Sequence, residues 1–144
     1  AVHLFLVRPD NHILLLRRDN TGYEDGNYSV VAGHLEGGEP VRSAAAREAK
    51  EEAGIDIKPH HLSIAHVMHR VTDHEKIDWF FVADQWRGEV INGEPAKCDD
   101  LSWFPLDHLP ENTIPYIKSA IESWQGGVVF SEFGWEKVYA GSTR

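Results

Sequence analysis

Three glutamates near the middle of the chain, Glu48, Glu51 and Glu52, follow one another at i, i+3 and i+4 between Pro40 and Gly54. At 3.6 residues per turn that spacing sets all three carboxylates on one face of a helix. Pro40 suits a first helical turn and Gly54 a left-handed stop, so the pattern predicts a helix from about Pro40 to Ala53. Val41, Ala45 and Ala49 make its buried stripe, and the alanines let it lie close against a sheet. Like charges at i,i+4 cost a helix roughly 0.2 to 0.5 kcal/mol per pair, so this face calls for a counter-charge. A hard divalent cation meets the need, because Mg²⁺ takes oxygen ligands from a few carboxylates and leaves positions for water and substrate phosphates. Arg47, four residues before Glu51, is placed to pair along the helix and steer a carboxylate. Glu39 precedes the helix and can reach back into the glycine-rich turn that starts at Gly33.

The stretch from Gly33 to Ile55 reads GHLEGGEPVRSAAAREAKEEAGI. It resembles the Nudix signature G-x(5)-E-x(7)-REUxEExGU, with Gly33, Glu39, Arg47, Glu48, Glu51, Glu52, Gly54 and Ile55 in place; Ala49 stands where a bulkier aliphatic is usual. The resemblance implies an α+β Nudix fold, an α/β/α sandwich with a mixed sheet between helices, and a single domain over residues 1–144. It also implies in-line attack of water on a diphosphate linked to some moiety X, with Mg²⁺ as cofactor and Mn²⁺ as a substitute. Glu48, Glu51 and Glu52 would hold the metal together with the backbone carbonyl of Ala32, although Val31 and Ala32 replace the family's usual proline and small residue. Glu48 would take the proton, Arg47 would hold a glutamate in line, Glu39 would brace the loop, and Gly33 would lie against the substrate.

Further assignments come from likeness to MutT-type members. An arginine ends their second strand and touches the nucleotide, which points to Arg18 over Arg17. The segment WRGEVINGE from Trp86 matches theirs without a gap and sets Glu94 near the metals, with Asp99 and Asp100 as alternatives. LPENTIP resembles the stretch before their last helix and makes Asn112 a reader of the base edge, its other reading being a helix cap. These features favour a (deoxy)nucleoside triphosphate, oxidised or not, cleaved to the monophosphate and pyrophosphate. The alternatives are a nucleotide-sugar or ADP-ribose pyrophosphatase and a non-catalytic nucleotide-binding module. An isopentenyl diphosphate isomerase would need a catalytic cysteine beside a glutamate, and Cys98 falls in a polar loop.

Composition narrows the partners. A formal net charge of −9 excludes a nucleic-acid polymer, which needs a basic stripe, but admits a small nucleotide whose charge bound cations offset. Hydrophobic residues make up 42% of the 144, with no apolar run long enough to span a bilayer, so the expectation is a cytoplasmic protein without membrane contact. The lone Cys98 forms no internal disulfide. Many Nudix members pair through their sheets, so the resemblance allows a homodimer.

Along the chain, residues 1–8 and 12–18 read as a hairpin of buried strands, 20–27 as a loop in which Tyr23 is either a base-stacking ring or surface packing, and 28–32 as one short strand. An antiparallel pair covers 62–71 and 77–86. A second helix covers 112–124, with Ile114, Ile117, Ile121 and Trp124 inward, and an extended tail packs Phe130, Phe133 and Trp135 on the body. Histidines 60, 61, 66, 69 and 74 match no zinc spacing and read as surface residues. Crowded carboxylates should leave at least one with a raised pKa without metal.

Overall fold

The computed structural model describes residues 1–140. Two sheets and three helices follow the order β1 (Val2–Leu6), β2 (His12–Arg18), β3 (Tyr28–Ser29), β4 (Val31–Gly33), α1 (Val41–Ala53), β5 (Ser63–Val71), β6 (Glu75–Ala83), β7 (Cys98–Pro105), α2 (Pro115–Gln125), β8 (Phe130–Phe133) and α3 (Trp135–Ala140). The larger sheet is mixed, in the order β4-β1-β6-β5-β8, with β1 parallel to β6 and β8 parallel to β5. The smaller runs β3-β2-β7 and is antiparallel.

Side-chain alternation along β1 divides the core. Val2, Leu4 and Leu6 face Ala45, Ala49 and Ala53 of α1 in one cluster with Phe81 and Ile55. Phe5 faces Ile117 and Ile121 of α2 in a second cluster with Phe80 and Met68. β2 serves both, with Leu14 and Leu16 in the first and Ile13 and Leu15 in the second. The result is the expected helix–sheet–helix layering, but the β1–β2 hairpin does not form. The two strands belong to different sheets and meet only at the Val7–Ile13 bridge. The strand expected over 28–32 is likewise two: Tyr28 and Ser29 pair with β2, and beyond Val30 the chain crosses to β1. That crossing carries Ala32 and Gly33 to the edge of the large sheet, against α1.

α1 begins at Val41 with Pro40 as N-cap and ends on Gly54 at φ 71°, whose N–H donates to the Lys50 carbonyl. α2 starts at Pro115, later than expected, because Pro115 supplies the first-turn position and Ile114 the cap. The tail is more ordered than an extended segment. β8 adds to β5, and α3 follows it, Trp135 donating from Nε1 to the His69 carbonyl at 3.0 Å. Phe133 packs on the second cluster, whereas Phe130 is mostly exposed. His66 is not a surface residue: its ring is fully buried, with Nδ1 against the Val128 carbonyl and Nε2 against the Ser131 hydroxyl, both at 2.7 Å. No helix among the described residues is long and apolar enough to cross a membrane.

Candidate active site

α1 and β4 build the site. Gly33 lies directly under Glu48, and a Cβ there would fall 2.1 to 2.6 Å from the Glu48 carboxyl atoms. Only the absent side chain lets that carboxylate settle on the strand. Beside it the Ala32 N–H donates to Glu52 Oε1 at 3.4 Å. Glu48 is buried, Glu52 half-buried and Glu51 exposed, so the acidic face tilts from the sheet out to solvent.

Arg47 is the hub that makes this face tolerable. Its Nη2 donates to Glu39 Oε1 at 2.8 Å, and Nη1 donates to Glu48 Oε1 at 2.9 Å and reaches Glu36 Oε1 at 3.3 Å. The contact to Glu51 that helical spacing suggests is the longest of these, 3.5 Å. The hydrogen bond to Glu39, then the bond to Glu48, holds the guanidinium charged well above its ordinary pKa. Glu39 therefore braces the arginine, and the arginine in turn aims Glu48.

Glu52 is pushed well above the usual carboxyl range, first by burial, then by its hydrogen bond with Glu48 and by the Glu48 charge. Glu94 adds a smaller push in the same direction. The crowding of Glu52 beside Glu48 thus disfavours a second full negative charge there. Glu94 arrives on a loop fastened to the end of α1, where Ile91 N–H donates to the Ala53 carbonyl and Gly93 N–H to the Glu52 carbonyl. Asn92 sets the turn, its Oδ1 accepting from Glu94 N–H at 3.1 Å and its Nδ2 donating to the Cys98 carbonyl at 2.7 Å. In the sequence Asn92 and Gly93 stand only as part of the WRGEVINGE segment, with no role of their own.

A cavity of about 600 Å³ opens on Glu48, Glu51, Glu52 and Glu94 and extends past Arg18 to Arg70 and Tyr116. A second, of about 330 Å³, shares Arg18, Ala32, Glu52, Glu94 and Lys97 with the first and continues toward Asn20 and Ser29. Glu52 and Glu94 stand where the two meet. Gly33 and Ala32 line the larger cavity, and so does Arg18, although its Nε is spent on the Tyr23 carbonyl at 2.6 Å. Asn112 is elsewhere: its Nδ2 donates to the Gly26 carbonyl at 2.8 Å, tying down the 20–27 loop. Asp99 pairs with Arg17 at 2.7 Å and Asp100 accepts the Tyr28 hydroxyl, so neither competes with Glu94. Cys98 is buried at the start of β7 rather than in a loop.

Among the described residues, no three His, Cys, Asp or Glu side chains converge as a finished metal cage. The donor set nevertheless suits a hard cation. It consists of oxygens, and Glu48 and Glu52 lie close enough that the Glu48 charge raises the Glu52 pKa, so a cation there relieves repulsion between them.

Residues 1–124 match the family model of the NUDIX domain. The chain is similar to the NAD-capped RNA hydrolase NudC of Edwardsiella ictaluri, 31% identical over an alignment of 117 residues, with 73% of this chain and 38% of that protein covered. It is also similar to the ADP-ribose pyrophosphatase of Methanocaldococcus jannaschii, 33% identical over 114 residues, 78% of this chain and 66% of that one. The chain thus spans well under half of NudC and just under two thirds of the pyrophosphatase. Among solved structures, a MutT NUDIX hydrolase from Burkholderia pseudomallei superposes with a TM-score of 0.77 at 28% identity, covering 84% of this chain and 93% of its own.

Proposed function

Because the chain belongs to the NUDIX domain family, we propose that it is a divalent-metal-dependent hydrolase cleaving the phosphoanhydride of a nucleoside diphosphate linked to a second group. The observation that carries this reading is Glu48, seated over Gly33 and aimed by Arg47, beside Glu52 on the Ala32 N–H, both facing the larger cavity. Glu48, Glu51, Glu52, Glu94 and the Ala32 carbonyl would hold Mg²⁺ or Mn²⁺. Such an ion, when bound, neutralises diphosphate charge and lowers the pKa of a water.

The chain's own groups do the rest. Glu48 accepts a proton at a carboxylate oxygen, kept in place by Arg47 Nη1. Glu39 keeps that arginine from swinging away. Arg18 and Lys97 face the junction of the cavities and bind phosphate oxygens. Two cavities that meet at Glu52 and Glu94 suit a diphosphate bearing an organic group at each end, as in ADP-ribose or NAD. The relative named as an ADP-ribose pyrophosphatase supports this. A nucleoside triphosphate is the second reading, supported by the likeness to the MutT hydrolase structure. The Asn112 amide, which favoured that reading in the sequence, holds a loop here. The substrate is a small nucleotide rather than a polymer, in keeping with the net charge of −9.

The test is product release from ADP-ribose, NADH, nucleotide sugars and nucleoside triphosphates with Mg²⁺, comparing the protein with Glu51→Gln. Alkaline phosphatase reveals exposed monophosphates and a coupled pyrophosphatase reveals pyrophosphate. Turnover of two-ended diphosphates, falling at least about a hundredfold in the variant, is expected. Turnover confined to triphosphates moves the second reading to first place. Silence across the panel with nucleotide still bound makes the domain a binding module.

A further inference from the structure

Tyr23 stands at the rim of the larger cavity, in the lobe away from α1, and is 37% exposed. A tyrosine that merely fills a loop surface needs no scaffold, yet this one has several supports. The Arg18 guanidinium lies 5.4 Å from its ring centroid, and Arg18 Nε and the Thr21 hydroxyl both donate to its carbonyl, at 2.6 and 3.0 Å. Tyr23 and Arg70 line the same cavity. Asp25 gathers the Thr21 and Gly22 N–H groups, and Asn112 holds Gly26, so the loop is fixed at both ends.

Arg70 is itself buried and anchored. It donates to Asp78 at 2.6 and 3.2 Å and to the Thr72 hydroxyl at 2.8 Å, and it stacks 3.8 Å over the Tyr116 ring. A buried ion pair is a weak source of net stability, because desolvating both charges offsets most of their attraction. Arg70 of this pair lines the cavity that holds the carboxylates, as does Tyr23. With Arg18 near the ring and Tyr23 itself part of the lining, the exposed portion of the tyrosine borders the cavity.

We infer that Tyr23 is the platform on which the planar base of the substrate stacks, with the diphosphate reaching from there to the carboxylates. This rests on the reading of the site as one for nucleoside diphosphates and adds the residue that senses the base. Base stacking on an aromatic ring tolerates different bases, so the platform selects for a base without choosing which.

The test is calorimetric binding of AMP and of ribose 5-phosphate to the full chain, to Tyr23→Leu and to Tyr23→Phe. Thermal melting verifies that each variant is folded, and the wild type is assayed on ADP-ribose in parallel. Tyr23→Leu should weaken AMP about 5- to 100-fold and leave ribose 5-phosphate unchanged. Tyr23→Phe, which keeps the ring, should stay within about threefold of wild type for AMP. Equal losses for both ligands, or AMP binding unchanged in Tyr23→Leu, overturn the platform. If the wild type cleaves ADP-ribose while AMP binding ignores Tyr23→Leu, the platform alone fails. If AMP binding falls in Tyr23→Leu but nothing is cleaved, the hydrolase reading fails and the platform stands.

Discussion

At His3 the imidazole is buried between Phe80, stacked at 4.4 Å, and Tyr116, whose hydroxyl meets Nε2 at 3.1 Å. Burial, the largest influence, lowers its pKa to about 3. An unfolded histidine takes up a proton near pH 6.5, so the folded state binds fewer protons as pH falls below that value. The stability His3 contributes is therefore intact above pH 6.5 and is lost progressively toward pH 3. Relative to His3→Gln, the wild type should lose about 2 kcal/mol between pH 7 and pH 5, read from urea unfolding at each pH. A constant difference would show that the buried ring takes its proton normally. Glu52 works in the opposite sense. Its folded pKa is raised, so the folded state binds more protons, and its contribution declines as pH climbs from the ordinary carboxyl range through the raised value. His3 gave no signal in the sequence, since an apolar strand with one histidine does not say which face is covered. The raised carboxyl was foreseeable from spacing alone.

At the scale of elements, α1 was legible because its limits, its inward alanines and its acidic face are all local patterns. Pro40, Gly54 and the i, i+3, i+4 glutamates each act within one or two turns. The strands were less so. Every residue of β1 is buried, so no polar alternation marks its partner, and Pro9, Asp10 and Asn11 looked like a hairpin turn although they join two sheets. The split between β3 and β4 hides inside a continuous buried run for the same reason. The loop carrying Glu94 is held by contacts that no spacing reveals. A Cβ on Gly93 would stand 2.1 Å from the Glu51 carbonyl oxygen, and backbone cannot yield as a side chain can. Gly93→Ala should cost about 1 to 3 kcal/mol of stability and weaken Mg²⁺ binding by displacing Glu94. Denaturant titration and metal calorimetry read the two effects separately. A variant with wild-type stability and metal affinity would show that the loop is not fixed to α1 in solution.

Across the molecule, the layering follows from two inward helix faces, which the sequence displays, while the cavities depend on chain segments far apart. Arg18, Ala32, Glu52, Glu94 and Lys97 come together only after β2, β4, α1 and the loop before β7 are placed. Of these, helical spacing gives only Glu52; Arg18, Ala32 and Glu94 come from resemblance, and nothing in the sequence singles out Lys97. β8 and α3 extend beyond the segment that matches the family, and there the buried His66 ties β5 to Ser131 and Val128.

The most direct measurement is thermal melting at pH 8 of the wild type and Glu52→Gln, each with chelator and with Mg²⁺ or Mn²⁺. With chelator the variant should melt about 2 to 6 °C above the wild type, because it no longer confines a carboxylate beside Glu48. With metal at a hundredfold excess over Kd the wild type should gain about 2.7 kcal/mol, and the variant should gain far less. A wild type indifferent to both metals, or a variant that responds equally, would contradict a metal site at Glu48 and Glu52.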